Sequence, residues 1–453
     1  MCRENLRPPS RKTKRRRQAK IALEQRSGPK HAGRAFRRIS RSKPEQIIDP
    51  EPVKACPEAW RCIGEEISEQ LDFRPGHFFR RRIIRRKYVR RADPEAAPII
   101  APLPPKLVER GIAAPGLLAH VAVSKFCDHL PLFRQEQIFD TRFEVFLPRQ
   151  SLSRWMAYVG DWLQPVYREM KETLFNEGYL QVDETPVKYL KPGSGKAQQG
   201  YFWTYHVPGG DVIFDWQSSR AHRCLEEVIP ENFHGLLQCD GYGAYRTFAA
   251  KRPGITLVGC WAHVRRKFYE ALCTGQQQAA PIVEEIRKLY HIETELRQVM
   301  AAPLVRLEVR QQRSRPIIES LHERLTDLAI RRVHLPQSSL GKAIRYTLDL
   351  WECLTLFLGN GRLEIDNNLT ENSIRPTAIG KKNWLFVGRE DTGWRSAVIY
   401  SVLGSCRYQG IEPYGYLKAL LEVLPSATNW QIKDLTPAAW AEGRHLNVVS
   451  VAA

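Results

Sequence analysis

Two aspartates stand in matching surroundings. Asp183 interrupts an apolar, strand-like run, LQVDETPV, and Asp240 closes another, LLQCDGYGAY, with Gly241 and Gly243 leaving space beside it. A carboxylate inside a buried strand is costly unless something compensates its charge, and a bound metal ion is one such compensation. Alone, either acid reads as a strand-end cap on a turn. Together, two strand-borne acids that neighbour each other in a sheet offer oxygen ligands to a hard cation. A third acid is sought in EIDNNLTENSIRP, which is unusually polar for a segment between apolar helical runs. Asp366 suits the N-cap of the helix that follows, which leaves Glu371 on the second turn and Arg375 one turn further on the same face. Glu364, ahead of the helix, and Asp366 itself compete with Glu371 for the third place. Three such carboxylates are suited to phosphodiester hydrolysis and strand transfer on two metal ions about 4 Å apart. Mg²⁺, or Mn²⁺ in its place, accepts a few carboxylates plus phosphate oxygens, and no activated Ser or Cys nucleophile is required. Asp183 is expected to bridge the ions, with Asp240 and Glu371 each completing one side.

The elements that must position these acids follow from the hydrophobic pattern. GYLQVDETPVKYL, GYFWTYHV and DVIFDWQ are β-rich runs separated by the turn-like PGSGKAQQG and PGG. A helical AHRCLEEVI then leads to GLLQCDGYGAY and ITLVGCW. A three-strand meander, a helix, and two further strands with a helix between them make the order that a ribonuclease-H-like α/β core requires. Residues from about 263 to 358 read as mostly helical and charged, and divide this sheet from the segment carrying Glu371. After it come IGKKNWLFVG, a helical SAVIYSVLGSCRYQG and a closing helix, YGYLKALLEVL.

Ahead of the sheet, residues 115–177 carry three helical patterns, with Pro115 and Pro131 suited to helix starts and Ser151 to an N-cap. Arg149, Gln150, Ser153 and Arg154 at the head of the third helix suggest a helix-turn-helix that reads DNA; an ordinary three-helix linker domain is the competing account. Residues 94–105 include five prolines and read as an extended linker. Residues 56–91 end in alternating basic and apolar residues and read as a small β-rich module with a cationic face.

The 453 residues carry a formal net charge of +20, and about fourteen of those positive charges accumulate by Lys43. Such an excess points to a polyanionic partner, because Lys and Arg beside phosphates release condensed counterions. The first 45 or so residues are poor in aliphatics and are expected to be disordered when alone. No run reaches the roughly 18 apolar residues of a membrane span, no signal-peptide pattern is present, and ten cysteines follow no disulfide framework. The expected compartment is the cytoplasm.

YLQVDETPVKYL, LLQCDGYGAY, GCWAHVRRKFYEAL and LEIDNNLTENSIRPTAIGKKNWLFVG resemble the successive signatures of insertion-sequence-66 family transposases, over roughly residues 56–425. The resemblance implies a DDE transposase with a ribonuclease-H-like core, whose acids fall by position on Asp183, Asp240 and Glu371 and whose helical insertion fills the gap between the last two. It implies cleavage of element ends and joining to target DNA, by an oligomer on paired ends with accessory proteins from the same element. Trp261, His263, Arg265 and Arg266 match a family motif, and His263, Arg265 and Arg266 are expected to meet phosphates; Trp261 in the core with His263 as a packed neighbour is the competing account. Arg375, Lys381 and Lys382 are likewise expected to meet phosphates, a solvated basic face being the alternative. The domains expected are a basic arm (1–45), a degenerate zinc-module-like segment (46–93), a Pro-rich linker (94–112), a helical DNA-binding domain (113–177), the core (178–268 and 359–425) divided by a helical insertion (269–358), and a tail (426–453).

Three departures stand out. The family's zinc module uses two cysteine pairs, whereas here only Cys56 and Cys62 remain, in CPEAWRC, and His77 alone does not restore four ligands. No zinc is expected. Relatives tend to begin with a leucine-zipper-like helix, and none is visible before Ile47, so residues 1–42 read as foreign to the pattern. Asn372 replaces a basic residue common beside the third acid, which weakens DNA contact but leaves metal binding intact. The rival accounts are a DNA-binding regulator or inactive remnant on the same fold, and a nuclease without strand transfer.

Overall fold

The computed structural model describes residues 76–88, 111–331 and 334–445, with isolated positions between 55 and 108. The chain divides into units 1–79 and 80–453. Cys56 and Cys62, the basic arm and most of the expected β-rich module lie outside the described residues. His77 is exposed, and Lys87–Tyr88 pairs antiparallel with Ile99–Ile100 in a two-residue ladder.

Three helices open the larger unit: α1 (Pro115–Phe126), α2 (Leu132–Phe143) and α3 (Arg149–Phe175). Pro115 takes the first turn of α1, where its missing N–H costs nothing. Ser151 is not the cap of α3, which begins two residues earlier after Pro148. This third helix differs from a short recognition helix. Over 27 residues it buries Leu152, Trp155, Met156, Val159, Leu163, Val166, Met170 and Leu174, the i, i+3, i+4 stripe of a helix laid along a core. That stripe packs beside α13 (Gly393–Tyr408). The backbones come close enough that a Cβ on Gly160 would lie 2.8 Å from that of Arg395, whose guanidinium pairs with Asp161 at 2.7 Å.

The central sheet is mixed and six-stranded. Its strands are β1 (Tyr179–Leu190), β2 (Ala197–His206), β3 (Val212–Gln217), β4 (Gly235–Gln238), β5 (Ile255–Val258) and β6 (Phe386–Arg389). The order is β3-β2-β1-β4-β5, with the first three antiparallel and β1, β4 and β5 parallel. The alternation of residue types places five of these strands correctly. β6 was not anticipated; it pairs parallel with the far half of β1, beyond the point where the four-residue β4 has ended. Helices α4 (Arg223–Val228) and α5 (Gly243–Ala250) make the connections from β3 to β4 and β4 to β5.

An edge strand exposes unpaired amides, and here α13 satisfies them. Ser405 and Ser401, one helical turn apart and fully buried, accept from the N–H groups of Val212 and Phe214 at 2.9 and 2.8 Å. Tyr400 on the same helix packs edge-on or tilted against Phe202 and Phe214, which covers that face of the sheet.

Between β5 and the helix bearing Glu371 the described chain is helical: α6 (Trp261–Cys273), α7 (Ala279–Gln298), α8 (Pro303–Val309), a π turn (Arg310–Ser314), α9 (Arg315–Arg331), α10 (Ser339–Asp349) and α11 (Trp351–Thr355). One apolar cluster joins them, from Trp261, Val264 and Phe268 through Ile282, Ile286 and Leu289 to Leu321, Ile344 and Leu354. Trp261 is a core residue at 1% exposure, its indole N–H donating to the Leu354 carbonyl. Three elements follow: α12 (Asn368–Trp384), then α13, then α14 (Pro413–Val423). Among the described residues no helix is long and apolar enough to cross a membrane.

Candidate active site

Parallel pairing sets Gln181 of β1 opposite Gln238 of β4, and each of the two aspartates lies two residues further along its own strand direction. Asp183 remains within β1, opposite Thr204, while Asp240 stands just past the end of β4. Each carboxylate accepts a local backbone N–H at 2.9 Å, Asp183 from Glu184 and Asp240 from Tyr242. Gly241 serves close packing rather than open space: a Cβ there would meet the Tyr346 ring at 2.5 Å. Gly243 faces nothing within 4 Å.

Glu371 lies in the first turn of α12, not the second, because the cap position falls on Asn367. Asp366 still performs the capping chemistry from one residue earlier, its Oδ1 accepting the N–H of Asn368 at 3.1 Å. Glu364 is fully engaged by Arg297 and Arg306, at 2.6 and 2.8 Å. Of the three competing acids, Glu371 alone approaches the histidine and arginines of α6. Its Oε1 is 3.8 Å from His263 Nδ1 and its Oε2 is 3.6 Å from Arg266.

Electrostatics join the three acids. Burial, reinforced by the charges of Glu184, Glu371 and Asp240, pushes the Asp183 carboxyl up from 3.8 to about 8, against the backbone hydrogen bond from Glu184. A cluster of this kind fits a divalent cation, which would replace the proton that repulsion otherwise retains. Buried and unpartnered, Glu371 Oε1 points the same way. Among the described residues, however, the ligand atoms that all lie within 4.8 Å of one another belong to Cys260, His263 and Glu371. The three acids do not converge so closely.

The basic residues expected to meet phosphates have different surroundings. Arg265, Arg266, Arg375 and Lys382 are exposed on α6 and α12, the helices that flank Glu371. Lys381 is instead turned onto the sheet, donating to Thr185 Oγ1 at 3.1 Å and to the Pro186 carbonyl at 2.8 Å. Arg149 and Arg154 are exposed at the head of α3, on a different element from any of the acids. The Arg149 backbone N–H donates to Glu136, and its guanidinium lies over the Phe133 ring.

Several residues that shape the site were missed. Glu184, with a side chain 1% exposed, receives hydrogen bonds from Arg220 and Tyr245. Arg220 in turn lies 3.9 Å over the Tyr242 ring, beside Asp240. Gln181 and Gln238 form a buried clasp. Gln181 donates to Gln238 Oε1 and to the Asp366 carbonyl, both at 2.9 Å, and accepts from Thr370 at 3.1 Å. Gln238 donates to the carbonyls of Glu364 and Gly259 at 2.9 and 3.1 Å. The two strands thereby grip both ends of the segment that launches α12. The repeated Gln-x-Asp in LQVDET and LLQCDG was the available signal, since a fully buried glutamine must spend its amide on something specific. Gln238→Leu is therefore expected to lower the unfolding free energy by about 1–3 kcal/mol through two orphaned carbonyls. Urea denaturation measures this, and an unchanged midpoint and slope would show the clasp to be dispensable.

The mixed sheet thus carries one acid within β1 and another just past the end of the parallel β4, with a third on the packed helix α12. The family model described as Transposase IS66 family matches residues 110–394, and the chain belongs to that family. Its relatives include two proteins of Sinorhizobium fredii (strain NBRC 101917 / NGR234). Uncharacterized protein y4jD is 36% identical over 414 residues, 87% of this chain and 79% of that protein. Uncharacterized protein y4qI is 36% identical over 410 residues, 86% of this chain and 74% of that protein.

Proposed function

We propose that this chain is the transposase of an insertion sequence, which cuts the element's DNA ends and joins them to target DNA on a ribonuclease-H-like core. The observation that carries the reading is the Asp183 carboxyl, placed where the charges of Asp240 and Glu371 both reach it. The order of the five-strand path, with an antiparallel meander followed by two parallel strands, supports the core assignment. On this reading the helical residues 269–358 are an insertion between the second and third acids, and α1 to α3, packed against the core through α13, carry the exposed Arg149 and Arg154 to DNA.

Asp183, Asp240 and Glu371 would hold Mg²⁺ or Mn²⁺, two ions at full occupancy, which supply Lewis-acid activation of the attacking oxygen and stabilise the leaving one. The protein's own part is to position. The Gln181–Gln238 clasp and the Asp366 cap fix the start of α12, so that Glu371 meets the strand-borne acids without a search. Arg266 beside Glu371, with exposed Arg265, Arg375 and Lys382 on the same two helices, offers positive charge that draws the DNA backbone. DNA is the partner in this scheme, both as element ends and as target, and paired ends call for an oligomer.

A strand-transfer assay tests the proposal. With DNA carrying the element's terminal repeats and Mg²⁺ or Mn²⁺, the wild type is expected to join a labelled 3′ end to a second DNA, and Asp240→Asn and Glu371→Gln to lose the product. Cleavage without joining would leave a nuclease. Identical silence from wild type and variants would leave a DNA-binding remnant.

A further inference from the structure

The α6 helix brings His263 to one carboxylate oxygen of Glu371 and Arg266 to the other. His263 Nδ1 and Glu371 Oε1 are 3.8 Å apart, and both atoms are buried with no hydrogen-bond partner. That separation is too long for a hydrogen bond, which ends near about 3.2 Å. Two orphaned buried polar atoms that face each other across such a gap require a third party. A dication at about 2.0–2.2 Å from each ligand spans pairs up to about 4 Å apart, so the observed gap admits one without rearrangement. A water molecule is the weaker candidate: Arg266 approaches the other carboxylate oxygen, and Cys260, whose own ligand atom lies in the same group, already donates its thiol to Asn367 Oδ1 at 2.9 Å.

We propose that His263 Nδ1 and Glu371 Oε1 together ligate one divalent cation, which makes the Glu371 side of the acid cluster a mixed nitrogen–oxygen site that favours a first-row transition dication over Mg²⁺. The inference rests on the reading of Asp183, Asp240 and Glu371 as cation ligands and adds a fourth residue of a different donor type. It assigns His263 to the ion and not to DNA phosphate. The chemistry follows from ligand preference: Mg²⁺ takes an almost purely oxygen shell, whereas an imidazole nitrogen adds affinity for the transition-series ions. The Cys260 thiol, committed to Asn367 Oδ1 at 2.9 Å, serves to hold Asn367 at the head of α12.

The test is metal binding by the full chain without DNA, followed by titration with Mn²⁺ and Mg²⁺ and by pulsed electron paramagnetic resonance of bound Mn²⁺. The wild type is expected to show magnetic coupling of Mn²⁺ to a histidine nitrogen. His263→Ala is expected to lose that coupling and to bind Mn²⁺ about tenfold more weakly, with Mg²⁺ affinity changed by less than about threefold. His263→Gln, which keeps the bulk and hydrogen-bonding capacity, should behave like His263→Ala if the nitrogen ligand is what matters. Bound Mn²⁺ with no nitrogen coupling in the wild type, or coupling that persists in His263→Ala, overturns the inference. If Asp183→Asn nonetheless abolishes binding in those cases, the carboxylate reading stands without His263. Absence of any Mn²⁺ or Mg²⁺ binding by the wild type overturns both.

Discussion

Asp183→Asn is expected to abolish DNA joining while making the metal-free protein more stable. The activity loss should be roughly a thousandfold or more, about 4 kcal/mol of transition-state stabilisation, because an amide cannot carry the charge that ligates the ions. The gain in stability has a separate cause and a definite sign. The carboxyl titrates at 3.8 ordinarily and at about 8 in the fold. Between those values the unfolded chain has released a proton that the folded chain still holds, so Asp183 costs stability progressively as pH rises through that window. Above about pH 8 both states are ionised and the penalty is complete. Asparagine has no such penalty. The melting temperature of the variant should therefore exceed that of wild type, with a gap that opens from about pH 4 and levels near pH 8, worth about 2–4 °C for each kcal/mol relieved. Mg²⁺ or Mn²⁺ should close or reverse the gap, since it binds the folded wild type more tightly than the variant. Calorimetric melts at several pH values, with and without cation, measure both. Equal metal-free stability of the two proteins at about pH 8 would show that Asp183 bears no strain.

The largest effect on stability should come from a pair remote in sequence from the acids. Glu293 and Arg310 are fully buried between α7 and the π turn, joined by two hydrogen bonds of 2.7 and 2.8 Å. The Nη1 amino group reaches the carbonyls of Phe357 and Asn360 at 3.0 and 3.1 Å. Arg306 extends the network, touching Glu293 at 3.3 Å and Glu364 at 2.8 Å. Removing either partner strips a fully buried charge of its principal counter-ion, so Glu293→Ala or Arg310→Met should each cost about 3–5 kcal/mol, with Arg306 tempering the second. Replacing both by Met should recover most of that loss, because the desolvation cost of the pair disappears along with its attraction. Urea unfolding of the two single variants and the double variant forms the cycle that decides it. Additive losses would mean that the two side chains do not act on each other. Phe357 and Asn360 begin the connection that ends at Glu364 and Asp366, so the single variants also loosen the approach to α12.

Much of the sheet was legible because strand periodicity is local. The alternation in GYLQVDETPVKYL, GYFWTYHV and DVIFDWQ, and the short apolar runs ending at Asp240 and Val258, each announce a strand from a few consecutive residues. The membership in the IS66 transposase family was legible for a similar reason, since its signatures are short ordered motifs. β6 escaped notice because its residues, FVGR, are half-exposed and pair only with the far end of β1, a match that exists only once α12 has been laid across the sheet. The three-helix pattern of residues 115–177 was visible too, but its periodicity could not reveal that α3 runs for 27 residues and packs along α13.

The candidate site shows the same division. Asp183 and Asp240 could be chosen from the sequence, because an acid in an apolar run is anomalous wherever the run ends up. Glu371 could be ranked above Glu364 and Asp366 by capping, though the cap falls one residue later than the spacing suggests. The partners of these acids were not legible at all. Gln181 and Gln238, Glu184 with Arg220 and Tyr245, and His263 facing Glu371 are pairs separated by between 36 and 108 residues, and nothing in a local pattern records who meets whom across such gaps. The amino-acid sequence by itself determined five of the sheet's six strands, the polar anomalies within them and the family. Which acid is free, which is neutralised by arginine and which pKa is lifted depended on the tertiary structure, because desolvation and charge proximity are properties of the packed interior and arise only when distant segments close around the same few atoms.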